Sequence, residues 1–475
     1  MQVSTAKPIL LSGRPEVRRE TMAIRSPYDD AVVGEVCYAN AADAAFACEA
    51  AEHAFAVTKK LSSWQRAAIL TRIAEAITSE AESMARTIAL EAGKPLRDAR
   101  GEVGRAIHTF RVAAEEAKRM DGDLKSADWT PGTEDRIALS RRFPIGPILG
   151  ITPFNFPMNL VAHKLAPAIA SGNPIIIKPA PQTPLTALLL GQIAIDAGWP
   201  AEAISVLPCS NEVAALLVQD ERIRMLSFTG SAAVGWKLKE KATRKRVTLE
   251  LGGNAAVIVC EDADLDLAAQ RILAGGYTYA GQSCISVQRV YAHVSIKEQL
   301  LDRIVTGLES LQLGDPMDEG TRLGPMINLS AAERVENWID EAKIGGAKIH
   351  FGGNRNGTLF EPSLLSDVPA TSQLCCEEAF APVVVVNGFE SLEEAIALTN
   401  DSSYGLQAAI FTKSWASMSR AWNELEVGAI LVDESSAWRA DQLPYGGVKN
   451  SGVGKEGVRA AMEEMTDSRM LIVAV

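Results

Sequence analysis

The chain has 475 residues, longer than one hydrophobic core usually grows, so two or more domains are expected. Hydrophobic residues at 47% and charged residues at 22% describe a globular protein, and a formal net charge of -12 argues against a nucleic-acid surface, which needs Lys and Arg to neutralise phosphates. No apolar run is long enough to cross a bilayer, and Arg18, Arg19 and Glu20 would interrupt a secretory signal, so a cytoplasmic protein with no membrane partner is expected.

Residues 40–120 read as helical in three stretches: ANAADAAFACEAAEHAF, then SWQRAAILTRIAEAITSEAESMARTIALEAG, then LRDARGEVGRAIHTFRVAAEEAKRM. Apolar residues recur at three- and four-residue spacing in each, and Gly93 ends the second. Asp121 to Gly132 is rich in Gly, Asp, Ser and Pro and marks a break, after which RIALSRRFPIG reads as extended. From about residue 145 short apolar strands (GPILGITP, PIIIKPA, AISVLP, RMLSFTG, VTLEL, AAVIVC) alternate with helical segments, the pattern of a parallel sheet covered on both faces. A second alternating series, from RVYAHV to AIFT, predicts another α/β domain, and SRMLIVAV predicts a terminal strand.

The seven cysteines are Cys37, Cys48, Cys209, Cys260, Cys284, Cys375 and Cys376; no CxxC pair or His cluster has metal-ligand spacing, so no metal site is expected. A free cysteine is most often a small buried hydrophobe. Cys284 stands apart through its neighbours: GGYTYAGQSCISVQRV surrounds it with glycines and small polar residues that suit close approach of a ligand. Glu250, in VTLELGGN, ends an apolar strand just before a Gly-Gly turn, where a carboxylate is either structurally paired or held as a base with a raised pKa. In ITPFNFP, Asn155 sits in a turn between aromatics and prolines; its amide could stabilise an oxyanion or bond its own backbone. There is no GxGxxG, but Gly230 and Ser231 follow a strand and precede a helix, offering N–H groups and a hydroxyl to a phosphate, while Lys178 ends PIIIK as a ribose or phosphate ligand or a solvated lysine.

Taken together in order and spacing, Asn155, Glu250 and Cys284, with FTGS between and PYGGVKNSG beyond, resemble the aldehyde dehydrogenase superfamily. LELGGN, GQSC, EEAFAPV and PYGGVKNSGVGKEG carry the resemblance, which runs from SPYDDAVVGEV to the final strand and is strongest to the lactaldehyde and succinate-semialdehyde dehydrogenase branch. It implies an α/β fold of two doubly wound domains and a β bridging element: a dinucleotide-binding domain over 1–122 and 144–251, a catalytic domain over 252–445, a return to the cofactor domain over 446–464, and an oligomerisation element over 123–143 and 465–475. A homodimer or homotetramer follows from that element.

By the same resemblance, Cys284 attacks an aldehyde, the Asn155 amide and the Cys284 N–H hold the oxyanion, and Glu250 activates the water that hydrolyses the thioester. Lys164 and Glu456 either pass the base's proton onward or serve structure alone. NAD or NADP is the implied cofactor: Lys178 for the adenosine ribose, Gly230 and Ser231 for the pyrophosphate, Glu378 and Phe380 for the nicotinamide ribose and ring, with Thr152, Pro153 and Phe154 beside them. Many NAD-using relatives carry Glu where this chain has Pro181, so NADP is not excluded; Ala381 replaces a usual glycine, and Cys209 and Ser210 stand where a glycine is usual. Substrate contacts are expected from Arg105, Phe156, Ser283 and Arg439, and Phe156 and Ser283 disfavour phosphonoacetaldehyde, whose dehydrogenases carry His and a basic residue there. Arg439 has two readings, a pair with Asp441 or another carboxylate, and a fork of donors for an anionic substrate group with Arg105 as second contact. Two rival functions are a CoA-acylating dehydrogenase, whose members commonly lack the Glu250 carboxylate, and a catalytically silent family member acting as a binding protein.

Overall fold

The computed structural model describes residues 6–475. The apolar strands form a sheet in the order Arg14–Glu16, Ile9–Leu11, Ile204–Val206, Ile175–Lys178, Ile148–Ile151, Met225–Thr229, Arg246–Glu250, Gly452–Val453. The five strands from Ile204–Val206 to Arg246–Glu250 run parallel, and the strands flanking them run antiparallel. Side chains alternate across the sheet: Ile148, Ile175 and Ile177 enter a core with helices Ser63–Ser79, Leu96–Ala117 and Asn159–Ser171, and Leu149, Ile151 and Ile176 enter another with Ala41–Thr58 and Asn211–Gln219. Burial on both faces is why these strands read as unbroken apolar runs.

Ile148–Ile151 comes first in the chain among the parallel strands yet lies mid-sheet, so the winding reverses beside it. A crevice opens at such a switch, outside the strands' carboxyl ends. Thr152, Lys178, Gly230 and Glu250 all lie at those ends.

A second sheet has the order Lys348–Phe351, Ser363–Ser366, Val383–Phe389, Val287–His293, Ala255–Val259, Gln407–Phe411, Ala429–Val432, parallel except at its first strand. Val257 and Val259 face one core while Ala256 and Ile258 face the other, so this unit too is doubly wound. The predicted terminal strand, Thr466–Ala474, pairs antiparallel with Arg136–Pro144, the segment expected to be extended.

One expected helix is two. The stretch read as continuous up to Gly93 breaks at Glu80 into Ser63–Ser79 and Ala81–Ala92. A straight helix of that length would run about 45 Å, whereas Ile73, Ile77, Met84 and Ile88 all enter one core. The turn folds both halves onto it. Gly93, in the left-handed conformation at φ 68°, ends the second helix as its position predicts.

Just beyond it, Lys94 is buried beneath the rings of Phe156 (3.8 Å) and Tyr279 (4.5 Å) and pairs with buried Glu102. Glu102 also accepts from the backbone N–H groups of Met158 (2.9 Å) and Asn159 (3.1 Å), capping the start of Asn159–Ser171, the helix that carries Lys164. Removing one partner of a buried pair strands the other charge. Glu102→Leu is therefore expected to destabilise the protein by about 3–5 kcal/mol, read as a lower Tm, with much of the loss recovered when Lys94→Met is added.

Candidate active site

The carboxyl ends of Ile148–Ile151, Met225–Thr229 and Arg246–Glu250 meet the Cys284 loop and the segment around Arg439 and Tyr445 at one cavity of about 400 Å³. Of the residues singled out in the sequence, all but Thr152, Lys164 and Lys178 line it.

The loop carrying Cys284 is fixed by its backbone. Tyr279, Ala280 and Gly281 take successive left-handed conformations (φ 50°, 53° and 65°), a run costing on the order of 1 kcal/mol per non-glycine residue. Buried Gln282 ties the loop down: its amide donates to the Tyr279 and Pro325 carbonyls (both 3.3 Å) and its side-chain oxygen accepts from Ile327 N–H (2.8 Å). The Gly-Gly turn after Glu250 is a packing requirement. A Cβ on Gly253 would lie 2.2 Å from the Cys284 carbonyl oxygen, and one on Gly252 2.6 Å from the Glu378 carboxylate.

Cys284 Sγ lies 3.1 Å from the Tyr445 hydroxyl. Burial pushes the thiol up to about 12, with the Glu378 and Glu250 charges adding to it, while the Tyr445 hydrogen bond and the Arg439 charge favour the thiolate. The Cys284 backbone N–H has no hydrogen-bond partner among the described residues. Asn155 Nδ2 donates to the Gln282 carbonyl (2.9 Å), which sets the amide beside the loop and leaves its second N–H uncommitted.

Of the three carboxylates that line the cavity, Glu250 and Glu456 are driven in opposite directions. Glu250 is 3% exposed, and neither of its oxygens accepts a hydrogen bond from the described residues. Burial, then the Glu456 charge, push it well above the usual carboxylate range, against the pull of Arg439, Lys164 and Lys455. Burial also opposes ionisation of Glu456, yet Lys164 and Arg439 hold it down at about 2. Lys164 Nζ donates to Glu456 (2.7 Å) and to Thr229 Oγ1 (2.7 Å), so Lys164 and Glu456 are partners of one another, with only Glu456 reaching the cavity.

Asp441 belongs to Arg105, not Arg439. Arg105 grips it with Nη2 (2.7 Å) and Nε (3.1 Å), and His163 Nε2 lies 2.8 Å from the same carboxylate. Arg439 approaches Asp441 only to 4.0 Å; it stacks 3.8 Å over the Tyr445 ring and donates weakly to Glu456 (3.5 Å) and His163 Nδ1 (3.4 Å). The reading of Arg439 as paired with Asp441 or another carboxylate holds mainly through Glu456, with Asp441 at 4.0 Å, while the Arg105 fork takes Asp441. The Arg439 Nε is buried and has no hydrogen-bond partner among the described residues.

The crevice fits a dinucleotide. Lys178 is 6% exposed, and its ammonium has no hydrogen-bond or ion-pair partner among the described residues. Thr152 N–H donates to the Lys178 carbonyl (3.1 Å) and steadies that strand end. Ser231 starts the helix Ala232–Ala242 without using its hydroxyl as a cap, and Gly235 lets that helix approach closely, since a Cβ there would lie 2.4 Å from Leu251. Glu378 accepts from Gly253 N–H (3.0 Å) and is pushed up to about 7 by burial. Phe380, left-handed at φ 51°, packs edge-on against Phe154 at 5.8 Å. Cys209 lies beside Lys178 as a buried thiol pushed up to about 11, and Pro181 brings no carboxylate to that end of the crevice. Neither Tyr445 nor His163 stands out in the sequence; only the place of Tyr445 inside PYGG could have marked it.

The chain matches the aldehyde dehydrogenase family over residues 15–471. It is 41% identical to the 3-sulfolactaldehyde dehydrogenase of Priestia aryabhattai over 466 residues, covering 98% of this chain and 97% of that protein. The structure superposes on aldehyde dehydrogenase 21 of Physcomitrella patens in complex with the reaction product succinate, with TM-score 0.97, 40% identity and 99% of each chain covered. It also superposes on the glyceraldehyde-3-phosphate dehydrogenase of Methanocaldococcus jannaschii complexed with NADP, with TM-score 0.93, 38% identity, and 97% and 100% of the two chains covered. Similarity over the whole length, in sequence and in fold, places this chain in the aldehyde dehydrogenase family.

Proposed function

We propose that the protein oxidises a short aldehyde bearing an anionic group to its carboxylic acid, using NAD or NADP and Cys284 as nucleophile. The observation that carries the anionic preference is Arg439, a buried cation on the wall of the Cys284 cavity whose Nε has no hydrogen-bond partner among the described residues. Arg105, on the same wall, keeps Nη1 free while Asp441 holds the rest of its fork. The relatives' named compounds support the reading: sulfolactaldehyde bears a sulfonate, succinate carboxylates, and glyceraldehyde 3-phosphate a phosphate.

Lys178, Gly230, Ser231, Glu378 and Phe380, with Thr152, Pro153 and Phe154, would hold the nicotinamide cofactor, which would supply the hydride acceptor. Cys284 Sγ adds to the carbonyl carbon, and the Cys284 N–H and the free Asn155 N–H take the charge that develops on oxygen. Phe156 and Ser283 shape the cavity beside Cys284. Loss of hydride leaves a thioester. Glu250, with a raised proton affinity and no protein donor to hold it, accepts a proton from the water that hydrolyses this ester. Glu456, ionised and paired with Lys164, fixes the field around it. We assign the first sheet's residues (1–122, 144–251 and 446–464) to the cofactor and 252–445 to the nucleophile, in a cytoplasmic enzyme.

The oligomerisation element has a matching exposed edge. Leu471 and Ile472 are 59% and 63% exposed on Thr466–Ala474, a strand paired along one edge within its own chain. A free apolar edge is an aggregation hazard, so a homodimer or homotetramer joined there is expected. Light scattering at micromolar concentration should return twice or four times the chain mass, and a monomer would refute the assembly.

Cys284→Ala is expected to abolish turnover. Glu250→Gln should release one NAD(P)H per site on rapid mixing and then stall, because acylation survives while hydrolysis fails; absence of the burst, with cofactor still bound, would remove Glu250 from the role of base. Specificity is read from paired aldehydes of equal length, one anionic and one neutral. Because Arg439 also supports Tyr445 and Glu456, Arg439→Met should slow both. The anionic substrate should lose about 1.5–3 kcal/mol more in kcat/KM, and equal losses would refute the anionic preference.

A further inference from the structure

We infer that Tyr445 is a catalytic residue whose hydroxyl donates a hydrogen bond to Cys284 Sγ and stabilises the thiolate both when it attacks and when it leaves. This rests on Cys284 being the nucleophile. With Sγ and the hydroxyl oxygen 3.1 Å apart, either group can donate while cysteine is a thiol, but only tyrosine can donate to a thiolate. The contact therefore strengthens on ionisation.

Three features hold the hydroxyl in place and in its donor form. Tyr445 is 6% exposed, and burial raises its own ionisation far above neutrality, so it stays a phenol. The Arg439 guanidinium lies 3.8 Å from its ring centroid, and a cation over the face draws electron density from the ring and makes the phenol a better donor. The Tyr445 backbone exchanges two hydrogen bonds with Glu456, donating at 2.9 Å and accepting at 2.7 Å, so the segment that fixes Glu456 also fixes the phenol. The next residue, Gly446, carries no Cβ; one built there would lie 2.8 Å from Glu250 Oε1, so the same turn brings the phenol and the base to one place.

The charged and titratable groups facing Sγ are Glu378, Glu250 and Arg439 as well as Tyr445. The two carboxylates disfavour a thiolate and Arg439 favours it at longer range; among the described residues only Tyr445 offers it a side-chain hydrogen bond. Cys284 attacks as the thiolate, its proton having passed to solvent; the sulfur pair forms the C–S bond, the carbonyl π pair moves to oxygen and returns as hydride leaves for the oxidised nicotinamide, and the hydroxyl's hold on sulfur weakens. On hydrolysis, water oxygen bonds to carbon, its proton passes to Glu250, and the C–S pair returns to sulfur, where the hydroxyl donates again. Tyr445 neither gains nor loses a proton.

The test is the pH dependence of iodoacetamide alkylation in the cofactor-free enzyme, with the modified residue located by peptide mass. In Tyr445→Phe, which keeps the ring under Arg439, the midpoint for Cys284 should rise by about one to two pH units, and kcat should fall with little change in KM. Protein biosynthesised with 3-fluorotyrosine, a stronger donor, should move the midpoint down, which keeps the test decisive even if the phenylalanine variant folds poorly. An unshifted midpoint in both proteins, while alkylation of Cys284 abolishes activity, would overturn the role of Tyr445. Activity that survives complete alkylation of Cys284 would overturn the nucleophile reading beneath it.

Discussion

The ion pair between Lys164 and Glu456 ties together the parts of the site that are far apart in the chain. Lys164 comes from the helix Asn159–Ser171, its second acceptor Thr229 ends the central strand Met225–Thr229, and Glu456 belongs to the segment that clamps Tyr445. Exchanged for apolar side chains, a buried pair of this kind often costs little stability, so its value here lies in which carboxylate it neutralises. Two unpaired carboxylates in one dry cavity resist ionising together. Lys164 and Arg439 settle Glu456 as the anion, and Glu250 is left with burial and its neighbour's charge raising its proton affinity.

The same logic extends across the cavity wall. Arg105 and Asp441, then His163, Arg439, Glu456 and Lys164, form a continuous chain of contacts. Burial and the neighbouring Arg439 charge lower the proton affinity of His163, favouring neutral imidazole, and Glu250 is driven towards its protonated form. Arg105, Arg439 and Lys164 face Asp441 and Glu456 along this wall. Arg439 and Arg105, both on the cavity wall, are the cations a planar or tetrahedral anion would meet there.

Patterns local in sequence were the legible ones. Unbroken apolar strands gave both doubly wound sheets, Gly93 its helix end, and the small residues around Cys284 a loop built for close approach. Glu250 read as paired or free, and the structure decides for free by giving its oxygens no protein donor. Long-range pairing was out of reach: Arg105 and Asp441 lie 336 residues apart, and nothing in DESSAWRADQLPYGG says which arginine takes the carboxylate. The break at Glu80 is likewise tertiary, since no Gly or Pro marks it and only the shared core requires it. Tyr445 was hidden for a similar reason. Its role depends on a sulfur 161 residues earlier in the chain.

The central claim is that oxidation passes through an acyl group carried on Cys284 while Glu250 governs its release. Mass spectrometry of Glu250→Gln, quenched after mixing with NAD(P)+ and an anionic aldehyde, tests it most directly. The account predicts that the peptide containing Cys284 gains the mass of the acyl group in proportion to the NAD(P)H formed. NAD(P)H formation with Cys284 unmodified throughout, or with the acyl group on another residue, would contradict it.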